Sequence, residues 1–171
     1  MNAHWVVKYF RKMLPNWHMV LVDSLRNYGG LAALWNPRWT NFRDFRCFVG
    51  MFLIGHLKEL AGRIHIINLY APYQDRGTFW DLLDTSDILK IGTHIVAGDF
   101  NTIVSLEECW GSICRKDQLV DRLQTIFSEN NLLEICPHST MTTWNNGRAG
   151  SQQIGKRLDR YLVHENLIEI M

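Results

Sequence analysis

Three consecutive stretches limit what this chain can fold into: RIHIINLY (63–70), GTFWDLLDTSDILKIG (77–92) and HIVAGDFN (94–101). The first is rich in β-branched residues and ends at Ala71-Pro72, where an extended run must stop. The third is an apolar run, Ile95-Val96-Ala97, that halts at Gly98. The stretch between them reads as a helix, with Thr78 as its cap, Asp81 three residues later and Gly92 past its end. Strand, helix, strand is the skeleton on which the rest of the chain has to be hung.

The remaining periodic segments extend that alternation. Residues 30–35 (GLAALW) read as a short buried strand stopped by Asn36-Pro37, and a further strand lies around 48–57. A second helix is expected over 117–130, capped by Asp117, with Leu119, Val120, Leu123 and Phe127 on one face. TMTTWNN (140–146) reads as a short strand entering a polar turn. KRLDRYLVHE (156–165) alternates, with Leu158, Arg160 and Leu162 on one side and Asp159, Tyr161 and Val163 on the other. Interleaved strands and helices predict an α/β protein with helices packed outside sheets.

Composition narrows the class. The 171 residues are 47% apolar and 20% charged, with seven Trp and eight Phe, which is enough to build one core and excludes a disordered chain. No repeat or linker divides the chain, so a single domain over 1–171 is expected. No apolar run approaches the roughly 20 residues of a membrane span. The opening MNAHWVVKYFRKMLPNW places its basic residues after the apolar ones, unlike a secretory leader. The four cysteines form no CxxC pair and fit no zinc spacing, so reduced thiols in an intracellular protein, nuclear or cytoplasmic, are expected. The net charge of +1 hides an asymmetry: residues 1–63 carry +6 and residues 64–171 carry −5. A basic part beside an acidic one suits a phosphate-binding surface next to a carboxylate site, although scattered basic residues also merely solvate a face.

Several residues invite chemistry. Asp99 and Asn101 follow a strand end, where open α/β sheets place their ligands. If the segment stays extended, their side chains project the same way and converge on one atom, a hard metal ion or a water to be deprotonated. The alternative is a capped turn, since Asp and Asn after Gly are favoured turn residues. Tyr70 at the end of its strand is placed to hydrogen-bond a phosphate, or simply to pack. Asp159 shares its side of the strand with Tyr161 and Val163 and would need a partner there, Arg157 or a histidine. Trp144 and Asn145 set an aromatic plane beside an amide, as in base stacking, though core packing is the commoner use of Trp. The seven histidines form no HxxxH or HExxH, and Glu107-Glu108 reads as surface.

The order of these motifs is more specific than any one of them. INLYAP, HIVAGDFN, TWNN and RLDRYLV in succession resemble the endonuclease/exonuclease/phosphatase (DNase I-like) superfamily. GGLAALWNP and TTWNNGRAGSQQIGKRLDRYLV are similar in wording to the endonuclease domains of plant LINE-type (non-LTR) retrotransposons, over roughly residues 29–168. The resemblance implies a four-layered sandwich of two mostly antiparallel sheets flanked by helices. It implies phosphodiester hydrolysis with Mg²⁺ or Mn²⁺, DNA as partner, and fusion to a reverse transcriptase. By the same resemblance Tyr70 lies near the scissile phosphate, Asp99 orients or deprotonates the attacking water and is a weak metal ligand at most, Asn101 holds water and phosphate, Asp159 orients a catalytic histidine, and Trp144 and Asn145 lie beside the nucleic acid.

This sequence also departs from the family. The first glutamate, Glu59, comes after GGLAALWNP, whereas the family's main metal-binding glutamate precedes that segment. There is no Ser-Asp-His, and His164 stands on the same strand as Asp159. The expectation is therefore a partial domain, incomplete at both ends, with DNA nicking weak or lost. A non-catalytic nucleic-acid-binding remnant and a phosphomonoesterase of the same superfamily are the alternatives.

Overall fold

The computed structural model describes residues 3–23, 30–47, 50–60, 62–90, 92–111, 114–139 and 141–169. Residues 48, 49, 91 and 140 of the predicted elements lie outside them. The chain begins with helix α1 (Ala3–Met13) and strands β1 (His18–Val22) and β2 (Leu31–Trp35), which pair antiparallel. Strands β3 (Thr40–Cys47), β4 (Gly50–Leu57) and β5 (Ile64–Tyr70) follow, then helix α2 (Arg76–Thr85) and strand β6 (Thr93–Asp99). After β7 (Cys109–Gly111) come helix α3 (Val120–Glu129), β8 (Leu132–Glu134), β9 (Trp144–Asn145), β10 (Ile154–Lys156), β11 (Asp159–His164) and helix α4 (Glu165–Glu169).

A six-stranded sheet, ordered β3-β4-β5-β6-β11-β8, forms the centre, and its β5–β6 pair is parallel while its other pairs are antiparallel. The β5–α2–β6 passage is the crossover that a parallel pair requires. On one face Ile67, Leu69, Val96 and Leu162 pack against Phe79, Trp80 and Leu83 of α2 and Leu123 and Ile126 of α3. On the other face Met51 and Leu53 meet Trp35, Val20, Leu31 and Ala33 from the β1–β2 pair. Ile64, Ile95 and Val163 close the same face with Leu167 of α4. Helices, large sheet and small second sheet thus stack as an α/β sandwich, with a further three-stranded sheet, β7-β10-β9, at one side.

Several predicted elements change in detail. The helix expected over 77–92 starts at Arg76 with Asp75 as its cap and Thr78 inside it. It ends at Thr85, because Ser86 turns extended (φ −75°, ψ 152°), and only a 3-10 turn, Asp87–Leu89, continues it. Asp117 is not the cap of α3; its carboxylate accepts the Leu119 N–H at 3.1 Å in the turn that precedes the helix. The single strand expected over 156–165 is two, because Arg157 and Leu158 carry the chain from the small sheet into the large one. Gly98 is obligatory in β6: its φ is +133°, and a Cβ there would lie 1.9 Å from the Leu69 carbonyl oxygen.

Glu107-Glu108 does not lie on the surface as a pair. Glu107 is exposed, but Glu108 is buried within a quartet of charges. Arg157 reaches Glu108 at 2.7 Å and Glu134 at 2.6 Å; Arg160 reaches Glu134 at 2.7 Å and also grips Glu108. Glu108 accepts the Val104 N–H at 2.8 Å as well, so the quartet ties the loop after β6 to β8 and β11. Burial by itself would push the Glu108 carboxyl up, but hydrogen bonds from Arg160, the Val104 N–H and Arg157 outweigh it and hold the group below its usual range. The same carboxylates hold Arg157 above its usual value, against burial, which alone would lower it.

The cysteines also depart from expectation. Cys109 and Cys114 form a disulfide, while Cys47 and Cys136 are free. The separation of five residues matches no redox or zinc pattern. Their Cα atoms lie 5.7 Å apart, within the usual span of a disulfide. Denatured without reductant, the protein should titrate two thiols with Ellman's reagent, and four after reduction; four without reduction would rule out the bridge.

Removing Glu108 leaves two buried guanidinium groups short of a counter-charge, so Glu108→Ala should cost about 3–5 kcal/mol in urea unfolding. Because the folded-state pKa is depressed, Glu108's contribution is present above the ordinary glutamate value of about 4.3 and fades as pH falls through the folded value. Glu108→Gln should therefore flatten the acid limb of stability against pH. An unchanged acid limb would show that the quartet does not control it.

Candidate active site

The strand register assembles the candidate residues. Tyr70 is opposite Asp99 across the parallel β5–β6 pair, and Asp159 is opposite Asp99 across the antiparallel β6–β11 pair. Residues directly opposite share a face, with Cβ atoms about 4.5–5.5 Å apart in antiparallel pairs. Tyr70, Asp99 and Asp159 therefore form a row at one end of the sheet, on the face away from α2 and α3. Asp99 is half-buried and Asp159 is exposed. Burial raises the Asp99 carboxyl above its usual value and the Asp159 charge raises it further, while the hydrogen bond from the Asn101 N–H acts the other way.

Asn101 does not project beside Asp99 as an extended residue would. The strand ends at Asp99, and Asn101 takes the left-handed conformation with φ 48°. Its N–H donates to the Asp99 carboxylate at 2.8 Å, closing an Asx turn. Its side-chain amide donates to the Ala71 carbonyl at 2.5 Å, clamping the end of β5 to the end of β6. Asn101 thereby fixes where Asp99 points, and the expected convergence of both side chains on one atom is not what the structure shows. Arg76, at the start of α2, braces the turn from behind, donating to the Asn101 carbonyl at 2.7 Å and pairing with Asp117 at 2.6 Å.

Asp159 has neither of the partners expected for it. Arg157 is occupied by Glu108 and Glu134, and the residue facing Asp159 is Asp99. The buried charge on this strand is one residue on, at Arg160, which is only 4% exposed. Its position between Leu158 and Leu162 on the inward side was a signal in the sequence that pointed to a paired, buried cation. Asp159 is positioned by its backbone: its N–H and that of Leu158 both donate to the Thr143 hydroxyl, at 3.0 and 2.9 Å. This bond brings β9 against the row. Trp144 is 44% exposed and not packed in the core, and Asn145 is exposed, its side-chain oxygen accepting the Gly147 N–H at 3.0 Å.

Chemically, the row offers a phenol, a carboxyl with raised proton affinity and an ionisable neighbour, which together can hold and polarise a water. Among the described residues no group of three or more His, Cys, Asp or Glu stands close enough to hold an ion. The row itself offers two carboxylates, as many as Mg²⁺ commonly takes from a protein when waters and substrate phosphates complete its shell. No helix among the described residues is long and apolar enough to cross a membrane.

No family model and no curated protein sequence matches the chain. Solved structures do. The endonuclease domain of TRAS1, a telomere-specific non-LTR retrotransposon, is similar at 13% identity with a TM-score of 0.66, over 90% of this chain and 69% of that one. ANGEL2, a 2',3'-cyclic phosphatase, is similar at 12% identity with a TM-score of 0.56, over 95% of this chain and 66% of that one. An endonuclease/exonuclease/phosphatase family protein from Bacteroides thetaiotaomicron is similar at 14% identity with a TM-score of 0.53, over 92% and 64%. The chain thus spans about two thirds of the length of these three structures. Its fold is the DNase I-like α/β sandwich of the endonuclease/exonuclease/phosphatase structures.

Proposed function

We propose that the chain is an endonuclease-like domain of retrotransposon type that engages DNA at the Tyr70–Asp99–Asp159 row but cuts it slowly or not at all. The observation that carries the reading is the register that sets these three side chains abreast, with Asn101 clamping the turn beneath them. The order of the motifs that carry these residues supports the reading, as does the likeness of the fold to that of the TRAS1 endonuclease domain. Tyr70 offers its hydroxyl to a phosphate oxygen, and Asp99 holds the attacking water. Trp144 and Asn145, exposed beside Asp159, face the nucleic acid.

Weak cutting follows from the charge of the row. In-line attack on a phosphodiester needs positive charge on the equatorial oxygens. Here two carboxylates face the phosphate; among the described residues the partner opposite Asp159 is Asp99 rather than a histidine, and no group of three or more His, Cys, Asp or Glu stands together. An intracellular location and a reverse transcriptase partner belong to the same proposal. Against the first stands the Cys109–Cys114 bridge, since disulfides are rare in reducing compartments. Cell fractionation of the tagged protein decides that point.

A plasmid-nicking assay with Mg²⁺ tests the main reading. Wild type and Asp99→Ala should both stay near background while still retarding DNA at low salt. Nicking by wild type that Asp99→Ala abolishes overturns the inactivity. Absence of DNA binding overturns the nucleic-acid reading, and turnover of inositol phosphates would favour a phosphomonoesterase. Stability offers an independent check. The folded state raises the pKa of Asp99, so its ionised form costs stability as pH rises past the usual carboxylate range. Asp99→Asn should raise the melting temperature at pH 7 by a few degrees, with the gain shrinking towards pH 4; a gain independent of pH would show that the strain is not electrostatic.

A further inference from the structure

At the opposite end of the sheet, on the opposite face, β3 and β4 carry an open groove. Arg43 is opposite Ile54, which is opposite His65, which is opposite His94. The row of Tyr70 and Asp99 lies five residues farther along β5 and β6, about 16 Å at roughly 3.3 Å per residue, and an odd step puts it on the other face. Helices α2 and α3 cover β5, β6 and β11 but leave the edge strand β3 bare, so Phe45 is 51% exposed. Asn41, Arg43, Phe45, His56 and Arg63 line a cavity of about 330 Å³ there, and no acidic side chain does.

The charges in this groove are unspent. Among the described residues neither Arg43 nor Arg63 makes an ion pair, whereas Arg76, Arg122, Arg157 and Arg160 all do. The His56 ring is oriented by Nδ1 against the Gly62 carbonyl at 2.9 Å, leaving Nε2 for a ligand. Two guanidinium forks, an imidazole and an amide around an exposed phenyl ring match a phosphodiester backbone with an unstacked base. A duplex keeps its bases stacked and offers Phe45 nothing, so the match is to a single strand.

We propose that this groove binds single-stranded nucleic acid, with phosphates on Arg43 and Arg63 and a base on Phe45, separately from the carboxylate row. The site goes beyond the cleavage reading and stands without it, because none of its residues belongs to the row. The test is fluorescence anisotropy of labelled oligo(dT) with the full chain. Arg43→Glu/Arg63→Glu, and the milder Arg43→Gln/Arg63→Gln, should weaken binding about tenfold or more, and Phe45→Ala about fivefold. Circular dichroism should show all of them folded, and Lys116→Gln, an exposed cation outside both the groove and the row, should bind as wild type does. Unchanged affinity in both arginine variants overturns the proposal, as does equal affinity for a duplex of the same length, or a loss in Lys116→Gln as large as in the arginine variants. Failure of plasmid nicking does not bear on these readouts, so the two sites are judged apart.

Discussion

The buried quartet of Glu108, Glu134, Arg157 and Arg160 is the interaction on which the placement of everything else depends. It joins four pieces of chain that are distant in sequence: the loop after β6, the edge strand β8, the link out of the small sheet, and β11. Desolvating four charges is expensive, and such a group is weak evidence for net stability. Its value lies in specificity. With two acids and two bases, each side chain has a partner only in this arrangement, and β11 cannot slip by one residue without turning Arg160 out of it. The register Asp159 opposite Asp99 is therefore secured from the far side of the sheet.

The candidate site then follows from backbone constraints more than from its own side chains. Gly98 lets β6 press against the Leu69 carbonyl. Asn101 spends its amide on Ala71 and its N–H on Asp99, and Arg76 holds the turn from behind. The polar groups that look catalytic in the sequence are in part the scaffold of the turn. On the proposed reading the Gly-Asp-x-Asn stretch divides its uses between its members: Asn101 builds the turn and Asp99 is what the turn presents.

This division explains what was legible in the sequence. The strands at 31–35, 50–57 and 64–70 are central or tightly paired, with apolar runs bounded by Pro, Asn or Gly, so periodicity finds them. Strand β3 escapes because it is an edge strand with five exposed residues of eight, TNFRDFRC, and lacks an apolar run. Strands β7 and β8 have three residues each, below any periodic signal, while β9 falls within the strand expected over 140–146 but is only two residues long. The row was legible as a set of residue types at strand ends, but not as a row, because register between distant strands is a tertiary property. The quartet was missed since Glu107-Glu108 reads as a solvated pair, although Arg160 between two inward leucines already called for a buried anion.

The distribution of counter-charges decides what the row can do. Arg160 lies one residue from Asp159, and Arg76 touches the backbone of Asn101, so two cations stand close to the carboxylates. Both are already neutralised, Arg160 by Glu108 and Glu134 and Arg76 by Asp117. The quartet is neutral as a unit and lends no positive field to the row across the sheet. Burial raises the proton affinity of Asp99 and the Asp159 charge adds to it, against the hydrogen bond from the Asn101 N–H. A phosphate approaching such a pair meets repulsion that Tyr70 alone does not offset. Two arginines that make no ion pair among the described residues, Arg43 and Arg63, line the groove at the β3–β4 edge, at the other end of the sheet. On the two proposed readings, attraction of a polyanion and the carboxylate chemistry are separated by the length of the strands, and a nucleic-acid strand at the edge would gain no help from the row in being cut.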